Sequence, residues 1–471
     1  MEYQPCSTIS KGKGIRMEGL LSFIQEVLST PAILVGLISL IGLLLQRKPV
    51  QDVIKGTVKT ILGFLVLGAG ADVVVGALNN FGDLFNFAFN VQGVVPNNEA
   101  IVSLALSEYA QATALIMTFG MVANIILARF SKFKYIFLTG HHTLYMAALI
   151  AVVLQVGGLE GWQLILGGSA LLGLTMVLFP AMAQKTVVKI TGDDSVAFGH
   201  FGTIGYVFAA WIGKLVGKDS PSTEEIKFPK QLSFLRDTSV SIALTMFVFF
   251  MIVSVISVMK PDVDMAMFGG SHWLIFSILK ALTFAGGVYI VLSGVRLVLA
   301  EIVPAFKGIS EKLVPNAKPA LDCPIVFPYA PNAVLIGFLV SFVGGIVGLL
   351  LLVMINGATD LNLALILPGV IPHFFCGATA GVFANATGGR RGTIIGAFAH
   401  GILITFLPAL LMPVLGGLGF ASTTFSDADF TVVGIVLGNI AKLVKGTGLL
   451  VTTLVLYALP IIATVVMPKK D

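Results

Sequence analysis

Residues 137–154 read FLTGHHTLYMAALIAVVL: two adjacent imidazoles, His141 and His142, at the mouth of an apolar run. Such a run is a helix or a buried strand, and the surrounding composition decides between them. The chain has 471 residues, of which 56% are hydrophobic and 11% charged. A soluble globular protein carries about 25% charged residues, so this is a membrane protein. Apolar runs long enough to cross roughly 30 Å of hydrocarbon recur; SIALTMFVFFMIVSVISV at 241–258 is one.

Candidate spans lie near 20–45, 57–78, 100–128, 135–157, 162–184, 200–216, 239–259, 272–300, 330–355, 361–384, 393–417, 430–443 and 447–467. Those at 200–216 and 430–443 are short and read as re-entrant or broken segments, which survive at membrane depth only when buried in protein or lining water. The sequence thus predicts an all-α polytopic membrane protein with about eleven transmembrane helices plus broken segments. Its net charge of +5 is 29 basic against 24 acidic groups. This excess reads as cytoplasmic loop charge, not as a nucleic-acid surface.

Arg47, Lys48, Lys55 and Lys59 place the loop after the first span in the cytoplasm, and Lys469 and Lys470 do the same for the C-terminus. N-out and C-in requires an odd number of crossings. Lys11, Lys13 and Arg16 then stand on the wrong side. Residues 1–16 therefore read as an upstream extension, with Met17 as the start. Cys6, Cys323 and Cys376 are far apart in the sequence, with no CxxC pair, so no disulfide framework or zinc motif is implied. No phosphate-cradling GxxxxGK[ST] is present. Energy must come from an ion gradient or a partner protein, and no cofactor is expected.

The halves echo each other. VVPNNEAI at Val94 matches LVPNAKPAL at Leu313, and YAQATALI at Tyr109 matches YAPNAVLI at Tyr329. LTGHH at Leu138 matches LPGVIPH at Leu367, and FGTIGYV at Phe201 matches FTVVGIV at Phe430. The offset is about 220 to 229 residues each time, in the same order. This divides the chain into a first repeat, 17–212, a charged cytoplasmic linker loop, 213–238, and a second repeat, 239–471. Halves with odd numbers of spans are inverted relative to each other, the arrangement that puts a binding site at the midplane of many transporters.

Ionisable groups inside spans are costly and are the default site candidates. His141 and His142 follow Gly140; His200 sits in SVAFGHFGTIGYV; Asp322 sits in AKPALDCPIVFPYAPNAV; His373 sits in PGVIPHFFCGATAGVFANATGG, with Thr379 in the same broken segment. Each has a plain structural reading: an interfacial imidazole, a hydrogen bond between helices, or an ion pair of Asp322 with Lys318 or Arg296. His373, His400 and His272 fit that reading better than a functional one. Asp72, Arg296 and Glu301 read as packing ion pairs. Imidazoles and a carboxylate suit zinc or manganese, so a metal on His141, His142, His200 and Asp322 stays open. No HxxxH or HExxH spacing supports it, and no metal is assigned. A histidine-based, proton-coupled symporter is the rival from another class.

VIKGTVKTILGFLVLGAGADVV (53–74), FLTGHHTLYMAALIAV (137–152), SVAFGHFGTIGYVFAAWIGKLVG (195–217), LVPNAKPALDCPIVFPYAPNAVLIGF (313–338) and PGVIPHFFCGATAGVFANATGG (368–389) resemble the ascorbate-type membrane component, enzyme IIC, of the bacterial phosphoenolpyruvate-dependent sugar phosphotransferase system. The likeness runs from about Met17 to the end of the last span. It implies a multi-pass protein of the bacterial inner membrane with two inverted repeats. It also implies a homodimer, with a scaffold domain at the dimer contact and a core domain that carries the sugar in an elevator-like shift. The IIC chain holds no catalytic residue; a separate IIB protein phosphorylates the sugar and is recharged by IIA. Because the chain stops at Asp471 without a IIB domain, both are expected as partners.

The resemblance places substrate contacts on His141, His200 and Asp322. Ascorbate is an acidic enediol, monoanionic at neutral pH; imidazoles can donate to its oxygens and a carboxylate can accept from its hydroxyls. Two positions depart from the ascorbate pattern. Ascorbate members carry sugar-binding glutamines where this chain has Tyr145 and Phe201, both expected to line the pocket, with His142 or Thr203 as replacements for the lost amides. A pentitol, hexitol or sugar acid is the alternative substrate.

Overall fold

The structure is a computed structural model that describes residues 30–89, 93–226, 238–416 and 423–466, together with Phe23, Glu26 and Val27. Residues 1–16, Met17, most of the second part of the linker (227–237), Lys469 and Lys470 lie outside the described residues. Among the described residues, seven helices are apolar and long enough to cross a membrane, and four shorter apolar helices accompany them. The protein is an all-α polytopic membrane protein, as its composition demands.

In chain order the helices are α1 (Pro31–Leu45), α2 (Val50–Phe89), α3 (Asn98–Phe130), α4 (Gly140–Val156), α5 (Gly161–Thr191), α6 (Thr203–Val216), α7 (Thr238–Val258), α8 (Trp273–Lys312) and α9 (Pro331–Ala358). Then follow a turn at Val370–Pro372, a π-helical turn at His373–Gly377 and α10 (Ala378–Gly416), α11 (Ala428–Leu443) and α12 (Thr447–Val466). Five short strands interrupt them: β1 (Val95–Pro96), β2 (Tyr135–Phe137), β3 (Ala197–Phe198), β4 (Lys318–Leu321) and β5 (Thr423–Thr424). The spans expected at 361–384 and 393–417 are two helical segments separated by non-helical backbone at Gly388 (φ −144°, ψ 15°) and Gly389 (φ 54°, ψ −147°). The chain reverses there: a β-carbon on Gly396 would lie 2.9 Å from that of Ala384, and Ser341 of α9 meets both Gly377 and Gly401. A β-carbon on Gly389 would lie 2.2 Å from the Ser220 carbonyl oxygen. Only glycine lets the linker segment seat there, where the Arg390 amide donates to the Pro221 carbonyl at 2.8 Å.

The element order runs twice. A 40-residue helix, α2 or α8, leads into a strand, β1 or β4, and a long helical stretch follows. That stretch breaks at Tyr109 in the first half (φ −113°, ψ 15°) and at Ala330, next to Tyr329, in the second (φ −151°, ψ 65°). The echoed YAQATALI and YAPNAVLI segments therefore mark the same kink in both halves. At 1.5 Å per residue, α2 and α8 are each about 60 Å long, twice the hydrocarbon thickness.

The strands cross between the halves. β1 pairs in parallel with β5, Val95 opposite Thr423 and Pro96 opposite Thr424, while Val94 bridges to Ile366. Reciprocally, β4 lies between β2 and β3, with Tyr135 opposite Lys318 and Phe198 opposite Leu321. The leading strand of each half is thus gripped by the trailing segments of the other, the pattern a twofold axis generates. Side chains lock this sheet from outside. Asn124 on α3 donates to the Tyr135 carbonyl at 3.0 Å and accepts the Phe137 amide at 3.1 Å. Gln184 on α5 donates to the Val196 carbonyl at 2.9 Å. Lys318 pairs with Asp194 across the halves rather than with Asp322. Burial pushes the Asp194 carboxyl up, but hydrogen bonds from Lys318 and Gln184 and the Lys318 charge outweigh it and hold it below its ordinary value.

Helices α1, α2, α7 and α8 pack on one another, and α9 and α10 form the tightest pair of the remainder. There a β-carbon on Gly344 would sit 2.3 Å from the Phe398 carbonyl oxygen, and one on Gly401 would sit 2.0 Å from that of Ser341. In lipid, helices associate by such close backbone approach rather than by expelling water. Gly401→Val is expected to lower the thermal midpoint of the detergent-solubilised protein, the overpacking costing about 1–3 kcal/mol. Gly357→Val, at a glycine whose added β-carbon meets nothing within 4 Å, is expected to leave it nearly unchanged. Equal midpoints for the two variants, read by size-exclusion after heating, would refute this packing.

Candidate substrate site

Every strand delivers a polar side chain shortly after it ends. β2 leads to His141 and His142, β3 to His200, β4 to Asp322, β5 to Ser426 and Asp427, and β1 to Asn98. Parallel pairing puts C-terminal strand ends side by side, so these groups converge. Helices α3, α4, α6 and α11 begin at the same points, and their N-terminal amides add partial positive charge.

The convergence forms one wall of a cavity of about 790 Å³. The opposite wall is one face of α2: Gly68, Asp72, Val75, Asn79, Gly82 and Asn86 recur at helical spacing. His141, His142, Tyr145, His200, Asp322, Cys323, Cys376, Asn98, Ser426 and Asp427 line the first wall. Four carboxylates (Asp72, Asp83, Asp322 and Asp427) border the cavity, and no lysine or arginine is among its described lining residues.

The geometry fixes several donors and acceptors. The Phe201 amide donates to His142 Nδ1 at 3.3 Å. A neutral His142 then carries its proton on Nε2 and is a donor there. His200 Nδ1 lies 2.9 Å from the Tyr206 hydroxyl. Its Nε2 lies 3.8 Å from Asp322 Oδ1 and 3.8 Å from Asp427 Oδ2, and His141 Nε2 lies 3.5 Å from Asp322 Oδ2. These separations exceed hydrogen-bond length, so the groups face a shared space rather than one another. Neighbouring groups brace both acids: the Cys323 backbone amide donates to Asp322 Oδ1 at 2.6 Å, while the Asn98 side-chain amide and the Ser426 hydroxyl donate to Asp427 Oδ1 at 2.9 and 2.5 Å.

The structure brings His141, His142, Tyr145, His200 and Asp322 to one cavity and leaves three expected residues elsewhere. Phe201 is fully buried behind His142, stacked on Phe137 with ring centroids 4.7 Å apart, and is not among the lining residues. His373 is buried against Ser341, its Nδ1 2.9 Å from the hydroxyl. Thr379 donates to the Phe375 carbonyl at 2.6 Å. Of the supposed packing ion pairs, Glu301 meets Lys59 at 3.0 Å, whereas Asp72 lines the cavity.

Sequence reasoning missed Asp427, Asn98 and the polar face of α2. Two signals were available. Phe430 echoes Phe201, so the acids just before it stand where the first half has His200; Asp429 accepts the Thr203 and Ile204 amides at 2.9 and 2.7 Å and caps α6. On α2, the polar residues at 72, 79, 83 and 86 share one face of the second half of the helix.

With this geometry established, similarity to known proteins is informative. Residues 26–429 match the family described as PTS system sugar-specific permease component. The chain belongs to this family. As a permease-family chain with several apolar helices, it is a multi-pass membrane protein. It is 28% identical over 420 residues to the ascorbate-specific PTS system EIIC component of Mycoplasma pneumoniae. That alignment covers 79% of this chain and 63% of the relative, so the permease chain spans under two thirds of that protein's length.

Phe201→Gln separates a pocket residue from a packing residue. From its burial, the substitution is expected to destabilise the protein by about 1–3 kcal/mol through an unpaired amide and to leave ligand affinity no better. A gain in affinity for any sugar, measured by calorimetry, would place residue 201 in the pocket after all.

Proposed function

We propose that the chain is the sugar-transporting IIC subunit of a phosphotransferase system and imports L-ascorbate or a related small sugar acid. The observation that carries this reading is the convergence of His141, His142, His200, Asp322 and Asp427 on one cavity in a chain of this permease family. The name of the Mycoplasma relative supports ascorbate. The chemistry is consistent: His142 Nε2–H and the other imidazoles donate to enediol or carboxylate oxygens, and the Asp322 and Asp427 carboxylates accept from hydroxyls.

The remaining parts of the reading are also proposals. The chain works with separate IIB and IIA proteins, which phosphorylate the arriving sugar, and as a homodimer in the bacterial inner membrane. The repeats at 17–212 and 239–471 are inverted relative to each other. The group of α1, α2, α7 and α8 is the scaffold, and the strand-linked remainder is the core that shifts against it. The position of the cavity between the α2 face and the strand ends supports this division, since a site between two bodies changes access when one of them moves.

An anionic sugar in a cavity bordered by four carboxylates, with no lysine or arginine among the described lining residues, relies on imidazole N–H groups and helix-terminal amides as its donors. His200→Ala and Asp322→Asn are each expected to weaken binding at least about tenfold, each removing a hydrogen bond to a charged group. Calorimetric titration of the purified protein reads both. Uptake by membrane vesicles should require phosphoenolpyruvate and the IIA and IIB proteins and should yield phosphorylated product. Uptake of unmodified sugar driven by a proton gradient alone would replace this reading with the symporter.

A further inference from the structure

A second cavity, of about 960 Å³, lies between α3 and α5 and shares no lining residue with the sugar cavity. The two helices run parallel: Gly168 packs on Ile116, Gly120 on Leu172 and Gly173 on Ala123. Ala112, Leu115, Phe119, Val122 and Ile126 recur along α3 at helical spacing and form one wall. Leu454 and Tyr457 of α12 close the far end, where the Tyr457 hydroxyl donates to the Ala123 carbonyl at 2.9 Å. Polar groups gather at the mouth: Glu108 and Gln111 on α3, Gln155 at the end of α4 and Trp162 at the start of α5. We propose that this cavity binds one phospholipid of the surrounding bilayer with a primary-ammonium headgroup, the headgroup at Glu108 and Trp162 and an acyl chain along α3. This proposal stands whether or not the chain carries ascorbate.

Three observations carry it. The first is shape. Glu108 to Ile126 extends about 27 Å along α3, against about 20 Å for one leaflet with its headgroups, so a whole lipid fits lengthwise. The apolar shaft belongs to spans Gln111–Phe130 and Gly161–Thr191, and Glu108 stands just before the first of them. Trp162 opens the second and is mostly exposed, the place where indoles meet headgroups. The second observation is an unsatisfied group. A hydroxyl inside a helix ordinarily bonds a carbonyl one turn back, as Thr175 does with Leu172 at 2.7 Å. The Ser169 hydroxyl lines the cavity, is buried and has no partner among the described residues. A lipid ester carbonyl supplies the acceptor it lacks. The third observation is charge. Glu108 is the one charged group among the described lining residues, and the Tyr109 hydroxyl bonds its carboxylate. No lysine or arginine occurs at 60–128 or 135–184. Such a mouth repels anionic headgroups and attracts an ammonium. A primary ammonium also brings three N–H donors, for the carboxylate and the side-chain carbonyls of Gln111 and Gln155, while the Trp162 indole N–H donates to the phosphate. A quaternary ammonium has no such donors. Arg129 and Lys189 occupy the last turns of α3 and α5, so the mouth faces the leaflet away from the cytoplasm.

The test uses the full chain in vesicles, with Trp211→Phe and Trp273→Phe leaving Trp162 as the one indole. Phosphatidylethanolamine brominated on its acyl chains is expected to quench Trp162 at a mole fraction about tenfold lower than brominated phosphatidylglycerol or phosphatidylcholine. Glu108→Gln, at an exposed position, should remove that preference, the loss of a hydrogen bond to a charged group being worth about tenfold or more. Ala112→Phe, which fills the shaft, should abolish it too. Native mass spectrometry of the unaltered chain, delipidated and titrated with phosphatidylethanolamine, should show one tightly held lipid per chain, a readout that needs no variant to fold. The proposal is overturned if phosphatidylglycerol or phosphatidylcholine quenches as well as phosphatidylethanolamine, or if Glu108→Gln leaves the preference within twofold. It is overturned equally if Phe119→Cys forms a disulfide with a second chain in the bilayer, which would make the groove an interface between copies.

Discussion

A backbone amide or carbonyl at membrane depth must find a partner within the protein, because hydrocarbon supplies none. This chain leaves helical geometry repeatedly between its apolar helices, and the exchanged parallel strands satisfy the polar groups it exposes. β1 finds β5, and β4 finds both β2 and β3. The cavity follows from this solution: where strands end and helices begin, backbone direction, helix amides and short polar side chains arrive at one place. The site is therefore a by-product of how these breaks in the helices satisfy their backbone groups.

The same constraint explains the aromatic layer behind the site. Phe137, Phe201, Phe179 and Phe430 fill the space under the strand ends with stacked and edge-on contacts. His142 lies stacked on Phe430, 5.4 Å between centroids, and accepts its hydrogen bond from the backbone beneath. An imidazole on such a floor has one nitrogen committed and one presented, so the floor decides what the cavity can offer.

Much of this was legible in the sequence. Composition and apolar run length gave the all-α membrane class. The echoed YAQATALI and YAPNAVLI segments, read only as a repeat, fall at helix breaks beside Tyr109 and Tyr329. Gly-His and Leu-Asp junctions pointed to His141, His200 and Asp322. What escaped was lateral. Asp427 follows an unremarkable STTFS stretch, and only the partnership of β5 with β1, more than three hundred residues away, carries it into the cavity. Phe201 adjoins a cavity histidine in sequence, yet a residue following a strand end points to the opposite side. Adjacency in sequence says little about direction where the backbone is neither helix nor regular strand. The reversal between the two spans expected at 361–384 and 393–417 turns on Gly388 and Gly389, whose conformation depends on the linker segment they touch.

The pairing of Val95 with Thr423 also sets a timetable. A ribosome adds about 5–20 residues per second, so β1 emerges and waits tens of seconds for its partner to be made. During that wait its amides have only temporary company, and neither His200 nor Asp322 has its full complement of neighbours. The cavity is among the last features that synthesis can complete, so a chain cut short anywhere before β5 enters the bilayer with its helices and without its site.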